Sequence, residues 1–220
     1  MVWNEIAGCQ RTVQALPLDR FDEVYAVDGG STDGTVEYLH GQGIPVHKQP
    51  LPGLGAATAH AFEVCKTDAV VFFHPDGNMD VGDLLSFRNL FGTGSQFIVA
   101  SRMIKGGSNE EDAHLLKPRK WFVLFLAGVA ALLWRREGPV MWDAVNGFRG
   151  ATTEAFRRME IQGLGCTVDY EMVIRSYKLR LPRAEFPTLE GARVAGETKF
   201  KSLPTGLKEL LLLCREILRD

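Results

Sequence analysis

An apolar run, Ala69 to Phe73, breaks off into the polar segment His74-Pro75-Asp76-Gly77-Asn78. A run of that length bounded by turn formers reads as a buried strand of a parallel sheet. In open α/β sheets, ligands bind beyond the carboxyl ends of the strands. Alternate residues of an extended segment project to one side, so His74, Asp76 and Asn78 are expected to converge on one metal ion. Imidazole, carboxylate and amide oxygen are all competent ligands. A polar turn after a strand is the simpler alternative.

A second unit of the same design precedes it. Val24 to Val27 reads as a strand, Asp28-Gly29-Gly30-Ser31 as a turn, and Thr35 to His40 as a short helix closed by Gly41. The turn has neither GxGxxG nor the Walker A lysine. At the start, Ile6, Val13 and Leu16 sit at near-helical spacing before Pro17, with Asn4 expected either as the N-cap or, with Glu5, facing a ligand. Further elements are expected as a strand over Ile44 to His47, a helix opened by Gly53 and Gly55, a helix over Asp83 to Phe91 and a strand over Gln96 to Ser101. This alternation predicts an α/β fold, a mostly parallel sheet with helices on both faces. The domain is expected to span residues 1–202, followed by an amphipathic helix over 203–220.

Composition narrows the function. A chain of 220 residues with 45% hydrophobic and 24% charged residues is ordinary for one globular domain. A formal charge of −2 leaves no basic footprint for nucleic acid. Cys9, Cys65, Cys166 and Cys214 are scattered without a CxxC pair, which fits reduced thiols in a cytosolic protein. No basic-then-apolar leader is visible.

Five motifs occur in order: VDGGSTDGT from Val27, HPDGN from His74, SRMIKGG at 101–107, DAVNGFRG at 143–150 and RVAGETK at 193–199. Together they resemble a family 2 glycosyltransferase with a GT-A type, Rossmann-like fold. The SRMIKGG and RVAGETK elements resemble the branch that makes polyprenyl-phosphate sugars. The resemblance implies an inverting transfer of mannose or glucose from GDP-mannose or UDP-glucose to a polyprenyl phosphate, with Mg²⁺ or Mn²⁺. It makes Asp76 the principal metal ligand and a catalytic residue, with Asn78 assisting. His74 stands where the family has a first aspartate, which favours Mn²⁺. Trp3, Glu5, Asp28, Gly29 and Ser31 are implied around the nucleotide, Gly29 replacing a second acid. The family's first strand ends in Pro-x-x-Asn-Glu; here only Met1-Val2-Trp3 precedes Asn4-Glu5, so that strand is expected to be truncated.

Arg102, Arg119, Arg193 and Lys199 are expected around phosphates, because a guanidinium can make two parallel bonds to one. Arg102 is placed with the catalytic residues. Asp143 and Asn146 are expected to shape the acceptor side. Glu171 is a candidate acceptor-side residue or a helix cap. A hydroxyl acceptor would instead need a carboxylate base, Glu171 or Asp169. A silent nucleotide-sugar-binding subunit is the third reading, since His74 and Gly29 replace acids.

Residues 117–136 hold an apolar run from Trp121 to Trp134 between Lys117, Arg119, Lys120 and Arg135, Arg136. As a helix it is about 21 Å long, short of the roughly 30 Å hydrocarbon core. It reads either as a core helix or as a helix at a membrane interface. At the end of the chain, Leu207, Leu210, Leu211, Cys214, Ile217 and Leu218 share a helical face. That face is expected to pack on the domain, on a membrane surface or on a membrane-embedded subunit. The expected location is the cytoplasmic face of a membrane, held peripherally.

Overall fold

The computed structural model describes residues 1–109, 112, 116–191 and 202–219. In chain order the elements are α1 (Ile6–Thr12), β1 (Ala26–Asp28), α2 (Thr35–Gly41), β2 (Val46–Lys48), α3 (Leu54–Val64), β3 (Ala69–Phe72), α4 (Leu84–Gly92), β4 (Phe97–Ser101), α5 (Pro118–Trp134), β5 (Arg149–Thr152), α6 (Thr153–Met159), α7 (Val168–Lys178), β6 (Arg183–Pro187) and α8 (Ser202–Leu218). The expected strands and helices are present, most with ends moved by one or two residues.

β1 and β2 pair in parallel, Ala26 opposite Val46. The other four strands run in the order β3-β5-β4-β6. β5 is antiparallel to β3 and β4, while β4 and β6 are parallel. The sheet is therefore mostly parallel, with β5 the reversed strand. That reversal has a consequence for the site. The ends of β3, β4 and β6 and the start of β5 all fall on one edge, so HPDGN, Arg102, Glu190 and the loop from Asp143 to Phe148 meet there.

Val99, an interior β4 position, is buried in a core shared with Leu126, Ala127 and Ala130 of α5 and Met172, Val173 and Ile174 of α7. A second apolar cluster joins Val27, Ala57, Ala61, Val70 and Phe72, seating α3 over β1 and β3. The β1-β2 pair and the four-stranded sheet are not hydrogen-bonded to each other. Val2 bridges to β1, its N–H donating to the Val27 carbonyl at 2.9 Å, and the Met1 amino group donates to the Phe73 carbonyl at 2.8 Å. Below them, residues 24–27 and 69–73 line opposite sides of a cavity of about 580 Å³.

Candidate active site

The site begins with two loops that hold each other. The Asp28 carboxylate accepts from Gly30 N at 2.9 Å, Ser31 N at 3.1 Å and Ser31 Oγ at 2.6 Å. Short acidic side chains stabilise turns in this way. Ser31 Oγ then accepts from Asn4 N at 2.8 Å, and Thr32 N donates to Asn4 Oδ1 at 2.8 Å. Asn4 is thus not the N-cap of α1: its φ is 50° and its side chain is tied to Thr32. Asp33 takes that part from the other loop, accepting from Ile6 N at 3.0 Å. Burial pushes the Asp33 carboxyl up, but the donors from Thr35 and Ile6 outweigh it and hold it below its ordinary value. Asp28 is buried and, like Ser31, committed to loop structure. Neither lines the cleft beside this loop.

That cleft, about 290 Å³, is lined by Trp3, Glu5, Gly29, Gln49, His74 and Asp76, among others. Five residues expected at the donor side therefore do meet. Gly29 has a local reason to be glycine. A Cβ there would lie 3.1 Å from Trp3 Cβ and 3.2 Å from Trp3 Cγ. The indole fills the space that an acidic side chain at position 29 would need.

Asp76 is held against α1 because Gly8 has no side chain. A Cβ on Gly8 would sit 2.0 Å from the Pro75 carbonyl oxygen and 2.8 Å from Asp76 Cα. Gly77, at φ 85°, turns the chain, and Asn78 N donates to Asp76 Oδ1 at 3.3 Å. The turn separates the expected ligands. His74 and Asp76 line the cleft, while Asn78 does not and gives Nδ2 to Glu190 Oε1 at 2.8 Å. Its Oδ1 is buried without a hydrogen-bond partner. Among the described residues no three His, Cys, Asp or Glu side chains form a ready metal cage. The carboxylate and imidazole that do line the cleft fit a Mg²⁺ or Mn²⁺ ion that draws its remaining ligands from a diphosphate and water.

At the end of β4, Arg102 is clamped. Its Nε and Nη2 donate to the two Asp143 carboxylate oxygens at 2.8 and 2.9 Å, and Nη1 donates to Glu190 Oε2 at 2.7 Å. Burial alone would lower the Arg102 pKa; the two carboxylates reverse that and keep it protonated. The Asp143 loop is fixed in turn by Glu185, which accepts from Trp142 N and Asp143 N at 3.1 and 2.8 Å. Asn146 ties the same loop to β4 through Ala100 O at 2.7 Å.

Asp169 closes this side. A Cβ on Gly147 would lie 2.9 Å from His74 Nε2 and 3.9 Å from Asp169 Oδ2, so the two side chains approach across that glycine. Asp169 pairs with Arg149 Nε at 3.1 Å. Burial pushes its carboxyl pKa up, with Arg149 opposing. Glu171, by contrast, is fully buried away from the cleft. It accepts from Gln162 N, Gly163 N and Arg215 Nη2 at 3.1, 2.8 and 3.0 Å. It braces a loop and α8; it is not an acceptor-side residue, because both its oxygens are consumed. Arg119 stands on the exposed first turn of α5 and does not line the cleft. Arg193 and Lys199 lie outside the described residues. Arg149, Glu185 and Glu190 were not singled out by sequence; only Arg149 carried a signal, its place inside the NGFRG turn.

The family model described as glycosyl transferase family 2 matches residues 2–160. The chain belongs to that family, and its fold is of the GT-A type. A comparison with curated proteins gives no match. Among solved structures, glucosyl-3-phosphoglycerate synthase from Mycobacterium tuberculosis with Mn²⁺ and UDP-glucose is similar at a TM-score of 0.66 and 22% identity, covering 97% of this chain and 76% of that one. The same enzyme with UDP gives 0.68 and 18%, covering 95% and 75%, and with phosphoglyceric acid 0.62 and 22%, covering 99% and 75%.

Proposed function

We propose that this protein transfers a hexosyl group from a nucleotide-sugar to a polyprenyl phosphate at a membrane surface, with inversion at the anomeric carbon. The cleft that gathers Trp3, Glu5 and Gly29 with His74 and Asp76 carries the donor half of this reading. The nucleoside would lie along Trp3 and Gly29, with its diphosphate toward His74 and Asp76. A divalent cation held by Asp76 and His74 would neutralise charge on the departing diphosphate. The acceptor phosphate is an anion at neutral pH, so its attack on the anomeric carbon needs no strong base. Arg102, with three of its donors fixed by Asp143 and Glu190, keeps two N–H groups for an acceptor oxygen. Its contribution is positional. The order of the SRMIKGG and RVAGETK motifs supports the lipid-phosphate acceptor.

Asp169 favours a second reading, a hydroxyl acceptor. A buried carboxylate with a raised pKa across Gly147 from His74 is placed to take a hydroxyl proton. Phosphoglyceric acid, bound in one of the similar structures, is an acceptor of that chemistry to offer.

The deciding experiment offers labelled UDP-glucose and GDP-mannose separately, with Mn²⁺ or Mg²⁺, to polyprenyl phosphate and to phosphoglycerate. Label in the lipid that survives Asp169→Asn and vanishes in Asp76→Ala supports the first reading. Label only in phosphoglycerate, lost in Asp169→Asn, supports the second. Binding of nucleotide with no transfer to either acceptor would identify a silent subunit.

A further inference from the structure

The first N–H groups of a helix have no partner within it, and α3 has no capping side chain. The loop over residues 162–165 supplies the partners. Gly55 N donates to the Gly165 carbonyl at 3.1 Å and Ala56 N to the Leu164 carbonyl at 3.2 Å. Donors that could otherwise face an anion are thus spent on the protein itself. The contact is backbone against backbone. A Cβ on Gly53 would collide with the Leu164 carbonyl oxygen, and one on Gly55 with the Gly163 carbonyl oxygen. The loop comes this close to α3 only because both positions lack a side chain.

The loop is itself hung on Glu171. This side chain, on α7, is fully buried and accepts from Gln162 N at 3.1 Å and Gly163 N at 2.8 Å. A Cβ on Gly163 would sit 2.7 Å from Glu171 Oε2, so loop and carboxylate also meet with no side chain between them. Arg215 of α8 supplies the counter-charge at 3.0 Å. A carboxylate taken out of water is costly unless it is fully paired. Moving the loop would strip Glu171 of its backbone donors, and that cost holds the loop in place.

This chain of contacts ends at the donor side. Gly53 and Leu54 at the start of α3, and Ala57 one turn on, line the same cleft as Trp3, His74 and Asp76. Glu171 does not line it, so any influence it has there passes through the loop. We propose that Glu171 is a positioning residue for the donor cleft: through the loop over residues 162–165 it sets where the first turn of α3 stands, and with it the fit of the nucleotide-sugar. The inference rests on the nucleotide-sugar reading of the cleft and is independent of which acceptor is used.

The test measures binding of UDP and of GDP, each with Mn²⁺, to the full chain by calorimetry. Glu171→Gln keeps the size of the side chain but replaces one acceptor oxygen by a donor and removes the charge that Arg215 meets. The Kd of whichever nucleotide the wild type binds is expected to rise about tenfold. Gly163→Ala displaces the same loop from the other side, at a half-buried position, and should raise Kd by a similar factor. Because both act through one loop, the double variant should bind about as well as the weaker single one. Met159→Ala is the control. Met159 is fully buried in the core beside α7 and does not line the cleft, so the thermal midpoint should fall while Kd stays. An unchanged Kd in both single variants overturns the proposal, and if Glu171→Gln does not fold, Gly163→Ala decides by itself. Fully additive losses in the double variant overturn it too, since two separate routes would then be at work. So does a Met159→Ala protein that loses as much affinity, because the loss would follow stability alone. A wild type that binds neither nucleotide overturns the donor reading of the cleft instead, and the inference falls with it.

Discussion

Arg102 and Asp143 form a two-point ion pair across 41 positions of sequence, Nε to Oδ2 at 2.8 Å and Nη2 to Oδ1 at 2.9 Å, and the Arg102 backbone N–H adds a third bond to Oδ2 at 2.8 Å. Both side chains are largely out of water. Removing one charge from such a pair leaves the other buried and unpaired. Asp143→Asn is expected to cost about 3 kcal/mol in urea unfolding and to lower transfer at least about a hundredfold, through loss of Arg102's orientation. Arg102→Lys should show a smaller stability loss with a comparable loss of rate. A near-native rate in either variant would detach this pair from the reaction.

Gly8 is the contact through which α1 positions the loop that carries Asp76. Gly8→Ala places a methyl 2.0 Å from the Pro75 carbonyl oxygen, a distance that requires the loop to move. The expected cost is about 1–3 kcal/mol, measured as a fall in thermal midpoint. The rate should fall more than tenfold with folded protein still present, since Asp76 moves with the loop. Unchanged kinetics in a destabilised variant would show that the loop's position tolerates the shift.

In the proposed metal site, His74 is the softer ligand beside Asp76. His74→Asp gives a second hard oxygen ligand and is expected to raise the ratio of Mg²⁺- to Mn²⁺-supported transfer by roughly fivefold. The measurement is initial rate against each metal at saturating donor. A ratio that does not move would place His74 outside the metal's reach.

Glu209 makes stability depend on pH. Burial, with a contribution from Asp169 and opposed by Arg149, pushes its carboxyl up to about 8 from an ordinary 4.5. The folded protein therefore binds the proton more tightly than the unfolded chain, and stability falls as pH rises through that window. The penalty is absent below the ordinary value and complete above about 8. Glu209→Gln is expected to be more stable than wild type at pH 8.5, with the difference closing toward pH 5 in parallel denaturant titrations. A difference that is the same at both pH values would mean that Glu209 is already charged and paired.

Much of the fold was legible before any coordinates. The run from Ala69 to Phe73, the VDGGSTDGT turn and the glycines before α3 mark local backbone preferences, and those depend on neighbouring residues. Motif order was enough to indicate the family, and to single out Trp3, Glu5, Gly29, His74 and Asp76, which one cleft brings together. The partners of those residues were not legible. Asp28 and Ser31 resemble ligand contacts in sequence; in the fold Asp28 holds its own turn and Ser31 Oγ ties that turn to Asn4. Glu171 and Asp169 are two positions apart on α7, and only packing turns one to Gln162 and Arg215 and the other toward His74.

The sequence by itself determined the alternation of strands and helices, the glycine turns at strand ends and the apolar periodicity of α5 and α8, because each follows from local sterics and side-chain spacing. Tertiary structure alone decided which face of α8 turns inward. A helical period defines a stripe but not its direction; Arg175 and Lys178 of α7 draw Glu216 inward beside Leu212 and Leu213, while Leu207 and Leu211 face outward. It also decided that β5 runs against its neighbours, which carries Asp143 and Arg149 to the edge where Asp76 and Arg102 stand.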